Sequence, residues 1–91
     1  MIILLQIGTP EYGDAFRIAR RVAAQGKKML ILFTGEGCKL TGDTRLMESL
    51  DFARLFALRY DAEKPAENVE LIDYDGWVKL LAYCRKTVSW T

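Results

Sequence analysis

The segment formed by residues 29–33 constrains the fold more than any other part of the sequence. It reads MLILF, five consecutive apolar residues between Lys28 and a glycine-containing stretch. An apolar run of this length without alternation is typical of a strand buried on both faces, as in a parallel sheet covered by helices. The sequence therefore predicts a parallel sheet with helices packed against it.

Strand and helix patterns alternate along the chain. The predicted strands are residues 2–7, 29–33, 54–58, 69–72 and 87–90. Apolar residues at three- and four-residue steps predict a helix from Asp14, as its N-cap, to Gly26, and a shorter helix over residues 42–50. A third helix is predicted to begin at Asp73 or Asp75. Its predicted buried stripe consists of Trp77, Leu80, Leu81 and Cys84.

This alternation predicts the architecture. Consecutive strand–helix–strand units form right-handed crossovers between parallel strands. We therefore expect a single domain over residues 1–91, an α/β three-layer α/β/α sandwich with a mostly parallel sheet of five strands. With the first strand in the interior, the arrangement would be flavodoxin-like, and the full strand order stays open.

Composition excludes several classes of function. Thirteen basic and twelve acidic residues leave a net charge of +1, so neither a membrane nor direct nucleic-acid binding is expected. Histidine is absent, which removes Ser-His-Asp and Cys-His catalysis, and two widely separated cysteines make no zinc site. No metal or cofactor is expected. No basic leader or long apolar span is present, so we expect a cytoplasmic protein with reduced thiols.

Cys38 is the leading candidate for chemistry. It follows the buried strand on a polar, glycine-rich turn, where we expect the thiol to be accessible rather than buried. Reacting groups of parallel sheets collect beyond the carboxyl ends of the strands. Lys39 is the candidate stabiliser of a Cys38 thiolate, because a neighbouring cation and the N-terminus of a following helix lower a thiol pKa. The alternative interpretation is an incidental loop thiol.

Cys84 differs from Cys38 in its setting. It lies on the apolar stripe of the third helix, where an inert, buried thiol is expected. That helix runs back from the carboxyl edge of the sheet, a rise of roughly 13 Å from Asp75 to Cys84. An intrachain disulfide needs α-carbons within about 7 Å, so the two cysteines are not expected to pair.

Two glycine patterns fail as nucleotide sites. Residues 37–44 match the phosphate-binding loop except that Asp43 stands where lysine is required. Residues 8–13 carry Pro10 in place of the second glycine of a dinucleotide-binding turn. A small nucleotide- or flavin-binding protein is therefore disfavoured.

A basic band lies on and after the first helix and consists of Arg17, Arg20, Arg21, Lys27 and Lys28. We interpret it as a solvated face. The alternative is a surface that docks an acidic partner or RNA.

The C-terminal part of the chain carries a recognisable pattern. Residues 71–90, LIDYDGWVKLLAYCRKTVSW, contain a strand, an Asp-Tyr pair, a helix with an aromatic residue and a closing strand with a terminal tryptophan. This pattern resembles the C-terminal signature of the DsrH/TusB family of sulfur-relay proteins. Upstream, LILFTGEG and RLFALRYD resemble its second and third strands. The most specific parts are residues 72–74 and 88–90.

This resemblance implies a DsrE-like fold. It also implies membership of a multimer with DsrE/TusD-like and DsrF/TusC-like subunits, in which sulfur moves as a cysteine persulfide. The main sulfur-carrying cysteine of such systems resides on the DsrE-like partner. Ala19 stands where some family members have a cysteine in the first helix, and Cys84 is similar in position to a cysteine near a helix end in others.

Two functions follow as expectations. The first is a small subunit of a sulfur-relay system, chiefly an assembly component, that serves tRNA 2-thiouridine synthesis or intracellular sulfur oxidation. In this function the chain is at most a persulfide carrier acting through Cys38, and self-association is the alternative to foreign subunits. The second is a non-catalytic protein-interaction module whose cysteines are incidental.

Overall fold

Five parallel strands form one sheet. The computed structural model describes residues 1–11 and 13–90, and its strands are β1 (Ile2–Ile7), β2 (Lys28–Phe33), β3 (Ala53–Leu58), β4 (Val69–Ile72) and β5 (Lys86–Trp90). Their order is β4–β3–β2–β1–β5, and every neighbouring pair is parallel. The predicted parallel α/β fold is confirmed, with β1 in the interior. Three strands begin one residue earlier than the sequence predicts.

Three helices connect the strands at the predicted places: α1 (Ala15–Ala24), α2 (Thr44–Ser49) and α3 (Tyr74–Tyr83). Gly26 follows α1 with a φ of 85°, a left-handed conformation that favours glycine. Asp43 and Asp73 cap α2 and α3, because each carboxylate accepts a hydrogen bond from a first-turn N–H. Asp14 is the N-cap residue of α1, as predicted, but its carboxylate makes no cap hydrogen bond and pairs with Arg17 at 2.9 Å.

The strand order explains which face each helix covers. From β1 to β4 the chain moves in one direction across the sheet, and right-handed crossovers therefore place α1 and α2 on the same face. The connection from β4 to β5 crosses back over three strands, which places α3 on the opposite face. Leu4, Leu30, Leu32 and Phe56 pack beneath α3, while Ile3, Ile31 and Phe33 pack beneath α1 and α2.

A 3-10 helix replaces the glycine turn that the sequence predicts after β2. It spans Gly35–Gly42, and i→i+3 hydrogen bonds mark its two ends, from Gly37 N–H to Thr34 O and from Asp43 N–H to Leu40 O. This segment carries Cys38 back over the sheet rather than out into solvent. The difference matters for the site, because it encloses the thiol.

Candidate functional site

A cleft lies at the carboxyl ends of β2 and β3, at the edge where the sequence predicts chemistry. It encloses about 610 Å³ between the 3-10 helix and the turn that follows β3. Its lining includes Gly35, Cys38, Lys39, Tyr60, Asp61 and Lys64. We call it the 3-10 cleft. The sequence correctly places Cys38 and Lys39 at this edge of the sheet.

Two contacts fix the 3-10 helix against the sheet. Gly35, at a φ of 50°, donates its N–H to Asp61 Oδ2 at 3.0 Å, which ties the helix to the turn after β3. Gly37 presses on the end of β1, where an added Cβ would overlap the Ile7 carbonyl oxygen and lie 2.8 Å from its carbonyl carbon. Only glycine fits this close approach. The position of Cys38 therefore follows from the contacts of the two glycines that precede it.

Cys38 is buried, contrary to the sequence prediction of an accessible thiol. Its side chain is 4% exposed, and Sγ donates to the Phe33 carbonyl oxygen at 3.2 Å. Loss of solvation on burial, followed by the negative charge of Asp61, raises the pKa of Cys38 to about 11. The thiol is therefore neutral and weakly nucleophilic near pH 7. The prediction of a lowered pKa is wrong.

Lys39 pairs with a residue other than Cys38 in this structure, and its role as a thiolate stabiliser stays a prediction. Its ammonium pairs with Glu36 one turn earlier, and both side chains are largely exposed. The hydrogen bond and charge of Glu36 raise the pKa of Lys39. The charge that does influence Cys38 is that of Asp61, which disfavours the thiolate. The role of Cys38 as a sulfur acceptor stays a prediction, one that would require the 3-10 helix to move.

Thr41 and Asp61 are site residues that the sequence interpretation missed. Thr41 is 1% exposed, its Oγ1 donates to the Cys38 carbonyl oxygen at 2.6 Å, and its own carbonyl accepts from Ala66 N–H at 2.7 Å. Thr41 follows Cys38 by three residues, the spacing of such a side-chain contact, so a helical interpretation would have found it. No local signal could have found Asp61, because its partner Gly35 is distant in the sequence.

Cys84 lies on the opposite face of the sheet. It packs with Leu4, Leu30 and Phe56, and burial raises its pKa. Both cysteines are unpaired, which confirms that they do not form a disulfide. Cys84 is 8% exposed, as predicted for an inert thiol on an apolar stripe.

The surface of α3 is the second feature that the sequence interpretation missed. No residue of α3 is fully buried. Leu81, predicted to face inward, is 43% exposed. Within α3, Trp77 and Leu80 are the residues that pack against the apolar cluster on this face of the sheet. The outer face of α3 is defined here as the three exposed large apolar side chains that share one side of the helix at i, i+4 and i+7: Tyr74, Val78 and Leu81. Among its ten residues only Asp75 and Lys79 are charged.

Aromatic contacts extend this surface toward the carboxyl edge of the sheet. Tyr60, which lines the 3-10 cleft, stacks on Tyr74 with ring centroids 4.8 Å apart, and Tyr74 is stacked near Trp77 at 6.5 Å. Trp77 Nε1 donates to Gln6 Oε1 at 2.6 Å, which anchors the row to β1. The 3-10 cleft and the outer face of α3 are therefore joined by continuous contacts.

Residues 1–11 and 13–90 contain neither a candidate metal cluster nor a candidate membrane-spanning helix. Residues 1–11 and 13–90 hold no group of three His, Cys, Asp or Glu side chains that could bind a metal ion. Within the same residues, no helix has the length and apolar character needed to span a bilayer.

Comparisons with known proteins support the fold. No family model and no curated protein matches the sequence. Among solved structures, the chain is similar to the crystal structure of the YchN protein from E. coli, with a TM-score of 0.74 and 9% identity. The match covers 98% of this chain and 97% of YchN. At this identity the likeness concerns the fold alone, and it supports the predicted parallel α/β architecture. Membership of the DsrH/TusB family stays a prediction.

Proposed function

We propose that this chain is a small subunit of a sulfur-relay system and acts chiefly as an assembly component. The DsrE-like fold fits a general sulfur-relay role. The resemblance of residues 71–90 to the DsrH/TusB signature supports the finer assignment. The partners would be DsrE/TusD-like and DsrF/TusC-like subunits, with self-association as the alternative. The sulfur would pass to tRNA 2-thiouridine synthesis or to intracellular sulfur oxidation.

The single observation that carries an assembly role is the outer face of α3. A helix of a globular protein normally presents one polar side to solvent, and a helix that is apolar all round is normally buried. Here Tyr74, Val78 and Leu81 are 58%, 63% and 43% exposed on one side of α3, although the helix already packs on the sheet through Trp77 and Leu80. Exposed apolar surface of this kind is typical of a protein-interaction site.

The two thiols support assembly over sulfur carriage. A persulfide carrier needs an accessible thiolate, because transfer proceeds by thiolate attack on sulfane sulfur. Cys38 and Cys84 are both buried, and burial raises the pKa of each. The reacting cysteine would therefore belong to the DsrE-like partner.

A binding experiment tests the assembly role. The chain is mixed with DsrE-like and DsrF-like subunits, and co-elution is measured by size exclusion with light scattering. Val78→Glu should abolish co-elution, because it places a charge in the middle of the outer face of α3. Ala24→Glu is the matched control, since Ala24 is exposed on α1, on the opposite face of the sheet. Co-elution that survives Val78→Glu, or is lost equally in both variants, would contradict the proposal.

A second experiment separates assembly from sulfur carriage. The double variant Cys38→Ser, Cys84→Ala should still support sulfur transfer through the complex, because the serine keeps the hydrogen bond to the Phe33 carbonyl. Mass spectrometry after incubation with a persulfide donor should find no added sulfur on Cys38. Added sulfur on Cys38, together with loss of transfer in the double variant, would make the chain a carrier instead.

The buried thiols also favour a second candidate, a non-catalytic interaction module outside any sulfur pathway. Such a module would bind its partner through the outer face of α3, yet deletion of the chain would leave cellular thiolation unchanged. Complementation in a relay-deficient strain distinguishes the two candidates, since only a relay subunit restores the thiolated product.

A further inference from the structure

An apolar groove lies between α1 and β5, on the face of the sheet opposite α3. No helix covers β5 on this side, because β5 is an edge strand and α1 packs over β1 and β2. The groove encloses about 370 Å³. Its floor is the buried surface of Ile3, Leu5, Ala19 and Met29, and Ile18 and Val88 form half-exposed walls. We call it the α1/β5 groove. It is separate from the 3-10 cleft and from the outer face of α3.

The two ends of the α1/β5 groove differ in chemistry. Trp90 lies at one end, where its Nε1 donates to the Glu11 carbonyl oxygen. Lys27 and Lys86 lie at the other end, beside the N-terminal residue Met1. The strand register places Ile3 directly opposite Lys86, which confirms that this end is the amino edge of the sheet. The groove is therefore apolar along its length and cationic at one end.

The cations at this end have no acidic partner within the structure. Lys27, Lys28, Arg85 and Lys86 are all exposed, and none forms an ion pair with residues 1–11 or 13–90. No acidic residue lines the groove. Unpaired cations beside an apolar trough complement a ligand with an anionic head and an apolar tail.

We propose that the α1/β5 groove binds an anionic amphiphile, with the alkyl tail along β5 and the head group at Lys27 and Lys86. The volume lies near the lower end of the ~300–1,000 Å³ range of small-molecule sites. The four residue steps from Lys86 to Trp90 span roughly 13 Å, which suits an alkyl chain of roughly ten carbons. This site is independent of the proposed sulfur-relay function, which uses other surfaces.

Trp90 provides a direct reporter of binding. In the variant Trp77→Phe it is the single tryptophan, and Trp77 lies on the opposite face of the sheet. Titration with decanoate below its micelle concentration should produce a saturable change in Trp90 emission. Each methylene added from hexanoate to decanoate should lower the Kd. The expected factor per methylene is about two if the methylene is partly enclosed and about four if it is fully enclosed. Decyltrimethylammonium, with a tail one methylene longer and the opposite charge, should bind at least about tenfold more weakly.

Charge-reversal variants in the Trp77→Phe background test the position of the head group. Lys27→Glu with Lys86→Glu should weaken decanoate binding at least about tenfold. The matched control reverses two exposed cations away from the groove, Arg45→Glu with Lys64→Glu, and should leave the Kd unchanged. Val88→Glu, which adds a carboxylate to the exposed wall, should also abolish binding.

Three results would overturn this proposal. The first is the absence of a saturable Trp90 response to decanoate, and the second is equal binding of the cationic amphiphile. The third is a Trp90 emission that changes with protein concentration in the absence of ligand, together with dimers detected by sedimentation. A second copy of the chain would then occupy the groove. The assembly experiment on Val78 is unaffected by any of these outcomes.

Discussion

Replacement of Gly37 by alanine tests the contact that positions the 3-10 cleft. The new Cβ would overlap the Ile7 carbonyl oxygen, lie 2.8 Å from its carbonyl carbon and lie 3.3 Å from the Gly8 Cα. All three atoms are backbone at the end of an interior strand, so no side-chain rotation can relieve the overlap. Overpacking of this kind costs about 1–3 kcal/mol, and we expect about 3 kcal/mol here because backbone must move.

Gly42→Ala is the matched control within the same 3-10 helix. A Cβ at Gly42 would lie 3.6 Å from the Lys64 carbonyl oxygen, an ordinary contact, and Gly42 has no positive φ. This substitution should change the free energy of unfolding by less than about 1 kcal/mol, in the stabilising direction, because alanine restricts the unfolded chain.

Urea denaturation followed by far-ultraviolet circular dichroism measures both variants. For Gly37→Ala the midpoint should fall by at least about 1 M, since small proteins lose about 1–3 kcal/mol of stability per molar urea. Loss of the close packing should also expose Cys38, which would then react faster with iodoacetamide. Equal midpoints for the Gly37 and Gly42 variants would refute the argument that backbone contact with β1 fixes the site.

Three further predictions concern buried or capping groups. Cys38 should alkylate slowly near neutral pH and ever faster toward its pKa of about 11. Because the folded-state pKa is raised, the stabilisation by neutral Cys38 is complete below pH 9.0 and lost as the pH rises toward about 11. Wild type should therefore lose more stability than Cys38→Ala over that range in denaturation experiments, by about 2 kcal/mol. Asp73→Ala should cost about 1 kcal/mol by removing the α3 cap. Trp77→Phe should cost about 1 kcal/mol in a urea titration, because Gln6 Oε1 loses its donor.

Each of these predictions has a control. Asp75→Ala removes a neighbouring carboxylate that makes no cap bond, so it should cost clearly less than Asp73→Ala. Trp90→Phe removes a longer, exposed hydrogen bond of 3.3 Å and should cost less than Trp77→Phe. Labelling of Cys38 at the rate of a small free thiol would contradict the enclosed position described above.

The sheet was predictable because its signals are local. The uninterrupted apolar run before Phe33 requires cover on both faces, and parallel pairing then follows from the helices that alternate with the strands. Asp73 and Gly26 mark helix ends through bonds within a few residues, so the sequence located them. Asp14 was located at the start of α1 in the same way, although its carboxylate pairs with Arg17 rather than with a backbone N–H.

The surface of α3 was less predictable. Periodicity identifies which residues share a helical face, but Trp77, Leu80 and Leu81 are all apolar and spacing does not rank them. In the structure Trp77 and Leu80 pack against the sheet, and Leu81 is left 43% exposed. The exposed apolar surface that supports the assembly proposal therefore depends on helix placement, which several distant strands decide.

The amino-acid sequence by itself determined that this protein is a parallel α/β domain without histidine chemistry, with Cys84 buried and the two thiols unpaired. Only the tertiary structure decided that Cys38 is enclosed and protonated. Gly37 against β1, Asp61 beside the cleft and the Phe33 carbonyl above the sulfur come from separate strands and loops. Burial and the charge surrounding a group set its pKa, and those contacts exist only once distant segments pack together.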